Sequence, residues 1–519
     1  MKDIKELIEV AFSKRVGKIE TFQEDREQAN NTLFYKFYKG ILEGEIKTDE
    51  DAARILYDKN KSDVSYKVLK NRFKERLYNT IIFTQPKDKS AKSFHYNLYY
   101  CYKHYVISRL LFIINMRESG IRLMTKLLTR AIPYQIFDII FQSAIMLRRQ
   151  CMLEGDLDGF KYYNELYKTT NKKIVAETTA EELYNEIIIN FSKSVTYGHE
   201  LIETAGKYLK EVNRLKNKYD TFNLQFYNFS LNNIYCQLSM EYSGALQACK
   251  EYENYLLSHA AFYTRGRHAA VLTNRMYCLL HMKDYIEGEK CANQALTFFS
   301  ESGANWFVFQ ELHFRLMLNT GNLDKAVAIY TEVVNSPRFN NILATQQESW
   351  KVFSGYLWFL LRFENKDTLL AALFKTGSSF NISKLVNDIP IHQKDKKGYN
   401  VAVLILQVLI HLEKRDFVKL IERTDALKNY TYKNLQKDDA GRSHVFIKML
   451  LALEHAQFNP ALASKKCKEL LLKLKAEAVN YSTTQTRLEI IPYEELWDMI
   501  LIMLEKKKAR EDVFTLELI

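Results

Sequence analysis

The chain has 519 residues, 47% of them hydrophobic and 26% charged, with a formal net charge of +12, which excludes a disordered polymer and leaves room for several domains or one long repeat array. Six prolines and seventeen glycines are too few to punctuate many short strands, so long helices joined by short turns, an all-α chain, are the expectation. Seven scattered cysteines without a CxxC pair argue against a disulfide framework or zinc knuckle and for reduced, buried thiols.

In chain order, the opening "MKDIKELIEVAFSKRVGK" is amphipathic and carries acidic residues. It lacks the apolar core and small-residue cleavage site of a secretory signal. Thr48 with Asp51 forms a helix-start pattern, which predicts a short helix around 52–57, a turn, and a longer helix from about Asp63. Two helices joined in this way suit a nucleic-acid-reading module.

Charge concentrates in the same place. Residues 59–92 hold ten Lys or Arg against three Asp or Glu. On the second helix Tyr66, Leu69, Phe73 and Leu77 recur at helical spacing and are expected to face a core. That leaves Lys67, Lys70, Arg72, Lys74 and Arg76 as candidate contacts to phosphates or to an acidic partner, since each lysine that displaces a counterion adds salt-sensitive affinity. A solvated basic face is the competing reading.

The stretch "RLMLNTGNLDKAVAIYTEVV" places a turn at Gly321-Asn322, then Leu323, the small Ala326 and the aromatic Tyr330. Tyr285, Gly288, Ala292 and Ala295 repeat that register, as do Tyr242, Ala245, Cys249 and Tyr252. Gly155, Asp156, Leu157 and Phe160 give a copy in which Phe160 replaces the small residue, and Phe417 and Leu420 a looser one. The long gaps between Leu157 and Tyr242 and between Leu323 and Phe417 each leave room for one more unit. "VTYGHELIETAGKYL" is the filler for the first, and "NKDTLLAALFK", with Thr368 and Ala371, for the second. This pattern resembles the tetratricopeptide repeat (TPR), in which a two-helix unit buries its apolar face on the next copy. The resemblance implies a right-handed superhelical α-solenoid of TPR-like helical hairpins, preceded by a helical N-terminal region. It also resembles the large TPR-like proteins of AT-rich bacterial genomes, which implies a bacterial source.

The polar stretches 84–92, 387–400 and 434–443 read as surface loops. They suggest an N-terminal region over 1–92, repeats over 93–387 and a C-terminal helical part over 388–519. Pro492 starts a last helix whose Trp497, Ile500, Leu501 and Leu504 form an apolar stripe suited to capping the final repeat or to holding a partner. Apolar runs such as "VAVLILQVLIHL" are too short to span a bilayer about 30 Å thick, so no membrane insertion and a cytoplasmic location are expected.

Chemistry is sparse. No phosphate loop, nucleophile elbow or dinucleotide fingerprint is present. In "HELIE" at 199–203 Glu203 stands where a zincin needs its second histidine. Arg275 and His281 share the R-x5-H spacing of helical ribonucleases of the HEPN class, but six residues place them on different faces of one helix; a surface arginine and a helix-end histidine are the expectation. Tyr263, Arg265, Arg267 and His268 cluster around Gly266 as a candidate partner contact or an inter-repeat charge cluster. The expected function is therefore a non-enzymatic, cofactor-free scaffold or adaptor for a protein or peptide. The alternative is a nucleic-acid-associated regulator acting through the basic N-terminal helices. The sequence leaves the oligomeric state open.

Overall fold

A computed structural model of the chain describes residues 2–13, 32–83, 93–193, 199–299, 303–375, 399–434, 441–476 and 489–516. Among them lie 22 α-helices, two short 3-10 turns and no strand. The chain divides into two compact units, residues 1–175 with 260–262, and residues 176–259 with 263–519. The boundaries expected at 92/93 and 387/388, the loop at 84–92, and most of the loops at 387–400 and 434–443 lie outside the described residues.

The first unit opens with α1 (Lys2–Ser13), α2 (Leu33–Leu42), α3 (Asp49–Tyr57) and α4 (Val64–Phe83). The start of α3 follows the sequence pattern: the Thr48 hydroxyl accepts from Asp51 N at 3.2 Å, while the Asp51 carboxylate accepts from Thr48 N at 2.9 Å. Two amide groups that the helix leaves without partners are thereby satisfied. A left-handed Asp58 ends α3. On α4 Tyr66, Leu69, Phe73 and Leu77 are all buried, packed with Ile4, Ile8, Phe37 and Ala52. The unit continues with α5 (Phe94–Ile113), α6 (Arg117–Ala131), α7 (Phe137–Glu154) and the beginning of α8 (Leu157–Lys193), around Met124, Leu127, Ile139 and Leu147.

The second unit takes the rest of α8, then α9 (His199–Tyr219), α10 (Phe222–Ser239), α11 (Tyr242–Ser258), α12 (Arg265–His281), α13 (Tyr285–Leu296), α14 (Ala304–Asn319) and α15 (Leu323–Val334). It ends with α16 (Ala344–Phe363), α17 (Asp367–Lys375), α18 (Tyr399–Glu413), α19 (Phe417–Asn434), α20 (Gly441–His455), α21 (Pro460–Ala476) and α22 (Tyr493–Leu516). Most consecutive helices pack on one another, and α12 also touches α14, α15 touches α17 and α16 touches α18.

One turn recurs through both units. In the first, Met116 N donates to Leu111 O and Asp156 N to Cys151 O; in the second, Glu241 N donates to Cys236 O, Asp284 N to Leu279 O, Asn322 N to Met317 O, Lys366 N to Leu361 O and Asp416 N to His411 O. The residue before each donor, Asn115, Gly155, Met240, Lys283, Gly321, Asn365 or Arg415, has positive φ. This is the six-to-one bond of a Schellman cap, which closes one helix and releases the chain into the next one residue later. Phe458 N bonds to Leu453 O in the same way, with Gln457 and Phe458 both left-handed, before α21 begins at Pro460.

The five sequence anchors Leu157, Tyr242, Tyr285, Leu323 and Phe417 are each the first residue of a helix. Ala245, Ala292, Ala295 and Ala326 are fully buried, and Tyr252 and Tyr330 nearly so. Three expectations need correction. In α17 Thr368 and Ala371 face solvent, and Leu370 and Leu373 make the packing contacts; the left-handed Asn365 sets the register, one residue away from the expected one. The copy at Leu157 leaves that side chain 63% exposed, in line with Phe160 occupying the small-residue position. The gap after it is filled by the 37-residue α8 and the single helix α9, without a turn inside "HELIETAGKYL".

The apolar stripe of α22 is spent inside the chain: Trp497, Ile500 and Leu504 are buried, Leu501 partly so, and α22 packs on α18, α20 and α21. Glu494, at its start, lies 3.8 Å from Lys283 in the turn between α12 and α13. All seven cysteines are free and buried. Among the described residues no helix is long and apolar enough to cross a membrane, and no cluster of His, Cys, Asp or Glu is arranged to hold a metal ion.

Candidate functional site

On α4 the basic side chains divide by what surrounds them. Lys70 Nζ lies 2.6 Å from Asp49, which also accepts a hydrogen bond from the Tyr66 hydroxyl. Burial raises the Asp49 pKa, but the bonds from Lys70 and Tyr66 outweigh it and hold the carboxyl at about 2. Lys74 pairs with Asp3 at 3.1 Å. The Arg76 guanidinium lies 4.2 Å from the centre of the Phe34 ring. Lys67 and Arg72 are exposed, with Glu75 on the same stretch. Part of the charge that marks this helix in the sequence thus fastens α4 to α1, α2 and α3.

The 263–268 cluster sits at the start of α12, whose cap is the Thr264 hydroxyl accepting from Arg267 N at 3.2 Å. His268 is buried, with Nε2 2.7 Å from a Glu253 oxygen of α11 and Nδ1 3.3 Å from the Tyr263 hydroxyl. Glu253 gives its second oxygen to Arg275 Nη1, also at 2.7 Å. Arg267 stacks on Phe222 at 4.4 Å, and Arg265 donates to Thr297 O. These groups bind α10, α11, α12 and the end of α13 to one another.

The same contacts separate Arg275 from His281. Arg275 is half-buried on Glu253 rather than at the surface. His281, at the C-terminal end of α12, has both ring nitrogens sealed from solvent, with its ring beside Tyr242 and Tyr277. Burial, reinforced by Arg315, pushes its pKa well below the usual histidine value. The pair does not converge on a common point. His199, the first residue of "HELIE", begins α9.

What sequence reading missed is a cavity of about 400 Å³ lined by α10, α12 and α14. These are alternate helices in chain order, and all three line the one cavity. Gln237 comes from α10; Asn274, Tyr277 and His281 from α12; Asn305, Val308, Glu311 and Arg315 from α14; Phe299 from the chain between α13 and α14. Its charges are internal: Arg315 Nη2 lies 3.5 Å from Glu311 and its guanidinium 5.1 Å from the centre of the Phe353 ring. The residues that hold the hairpins together recur in the sequence; those lining the cavity do not, which hid it. The one legible sign is that amides fall at exposed or half-buried positions of α10, α12 and α14. No protein-family model and no curated protein sequence matches this chain.

Proposed function

We propose that the chain is a non-enzymatic scaffold or adaptor, a TPR-like right-handed α-solenoid that binds a protein or peptide in the groove lined by α10, α12 and α14, and that it works in the cytoplasm of a bacterium. The observation that carries this reading is the cavity of about 400 Å³ formed by three alternate helices. A concave site with a few polar groups among apolar ones is the usual form of a recognition site. The polar clusters elsewhere support it by being occupied: Glu253 binds both His268 and Arg275, and Asp49 binds Lys70. The fold contributes by analogy alone, because function belongs to sites.

Photo-crosslinking tests the reading. A crosslinking residue at Val308 or Ala270, both exposed and lining the groove, is expected to capture a protein in producing cells. The same residue at Ile286, 74% exposed and outside the groove, is expected to capture none. Equal capture at all three positions, or none at the groove, refutes the proposal.

A further inference from the structure

The first unit carries an apolar face that its own core does not use. On α5 the side chains of Tyr102, Val106, Ile107, Leu110 and Ile113 are all exposed. At about 100° per residue they fall within an arc of about 140°, opposite the side on which Asn97, Cys101 and Ser108 are buried. The stripe runs on into the turn before α6 and stands furthest out there: Ile113 is 74%, Ile114 61% and Met116 58% exposed, around the left-handed Asn115. Contiguous exposed aliphatic groups of this kind mark a surface that takes a membrane or another chain.

Charge decides between them. α5 contains no Asp or Glu. Arg109 lies at one edge of the stripe, with Nη1 3.5 Å from Met146 Sδ, and the exposed Arg117 opens α6 just beyond the turn. Residues 94–154, which make up α5 to α7, hold eight Lys or Arg against three Asp or Glu. Of those three acids, Glu118 faces Arg122 at 3.4 Å and Asp138 accepts from the Tyr102 hydroxyl. A second copy of the chain would set the same cations against these, and like charges oppose such a pairing. A nucleic acid would satisfy the cations but leave the aliphatic centre unused, because phosphate binding is won by charge. An anionic bilayer surface answers both features: its headgroups meet the arginines, and the aliphatic side chains enter the boundary beneath them. From Tyr102 to Ile113 the stripe is about 17 Å long, short of the roughly 30 Å of a bilayer core, so the helix would lie on the membrane and not across it.

From this arrangement we infer that α5 and the turn at its end form a docking face for an anionic membrane surface, with Val106, Leu110, Ile113 and Ile114 entering the lipid boundary and Arg109 and Arg117 meeting the headgroups. The inference does not depend on the groove, whose helices belong to the other unit.

The test is co-sedimentation of the full chain with vesicles of phosphatidylcholine, alone or with about 30% phosphatidylglycerol. Partitioning is expected to be about tenfold or more stronger onto the anionic vesicles. Part of it is expected to survive about 500 mM salt, which screens the charges but not the apolar burial. Leu110→Gln combined with Ile113→Gln removes apolar area without changing charge, at two exposed positions where circular dichroism is expected to show an unaltered fold. This double variant is expected to weaken partitioning about tenfold or more, whereas Ile286→Gln on α13, also 74% exposed, is expected to leave it unchanged. Equal partitioning onto both kinds of vesicle, none onto either, or partitioning that the double variant leaves intact overturns the inference. A dimer seen by light scattering and split by the double variant, with vesicles ignored, gives the face to a second copy. Vesicles ignored while a duplex oligonucleotide binds, with steep salt dependence and no loss in the double variant, gives the cations to nucleic acid and likewise overturns it.

Discussion

Seven of the nine turns of this kind, counting that of Ile136 N to Ala131 O after the left-handed Gln135, put a side chain where glycine is favoured, and that gives a prediction of unusual sign. Met240 has φ +63° and Arg415 φ +58°, whereas Gly321 performs the same task at φ +67°. A left-handed backbone costs a residue with a Cβ roughly 1 to 2 kcal/mol; glycine escapes that but brings about 0.5 to 1 kcal/mol of extra unfolded-state entropy. Met240→Gly and Arg415→Gly should therefore each stabilise by about 0.5 to 1 kcal/mol. Both side chains are exposed, so little burial is lost. The reverse change isolates the backbone effect: a Cβ on Gly321 meets nothing within 4 Å, and Gly321→Ala should cost about 1 kcal/mol through φ alone. A chain of two units need not unfold in one step, so the assay is native-state amide exchange, read in α10 and α11 for Met240 and in α14 and α15 for Gly321. Protection is expected to rise in the first case and fall in the second. A loss of protection in Met240→Gly, or none in Gly321→Ala, would show that the turn geometry does not set the energy of the hairpin.

The interior makes two further predictions. Arg442 is held by Glu489, Glu494 and the Leu474 carbonyl, with Arg442 and Glu489 both under a tenth exposed; Arg442→Met should destabilise by about 3 to 5 kcal/mol, since it strands buried carboxylates. Adding Glu489→Met should recover part of that loss in a double-mutant cycle read by native-state amide exchange in α20 and α22, and a single variant within about 1 kcal/mol of wild type would contradict it. His313 is buried, which, aided by the positive charge of Lys325, lowers its pKa from 6.5 to about 4. The folded state thus binds fewer protons than the unfolded one. Its contribution is present above pH 6.5 and falls by about 3 kcal/mol as pH drops towards 4. His313→Leu should flatten the fall of thermal stability with pH in that window, and an unchanged slope would mean that His313 is not the group titrating.

How much could be read beforehand follows from what each residue answers to. Local rules act over a few residues and show in one chain: Thr48 and Asp51 start a helix, the periodic Tyr66, Leu69, Phe73 and Leu77 mark a buried face, and five anchors each begin a helix. The hairpin before α21 escaped notice because its turn is Gln457-Phe458 rather than glycine, although Asn459-Pro460 is itself a helix-start pattern. The expected packing position Thr368 lies one residue out of register because Asn365, not a glycine, takes the left-handed position. In both cases a residue that only tolerates the turn conformation does the work of one that prefers it, and a reading by preference passes over it.

The candidate site obeys no such local rule. Glu253 meets His268 and Arg275 across hairpins, so charges that look available in the sequence are paired where neighbouring helical hairpins touch. Lys70 and Lys74 meet the same end at Asp49 and Asp3. Internal pairing occupies several of the most conspicuous charged residues within the fold, while Lys67 and Arg72 stay exposed. The lining of the cavity between α10, α12 and α14, amides and apolar groups beside Glu311 and Arg315, attracts no notice one residue at a time, because only the three helices together set these side chains side by side. In a helical repeat protein, then, the charged motifs of the sequence are the first candidates to test for an internal partner, and the groove is to be sought where the repeat positions leave uncharged polar residues exposed.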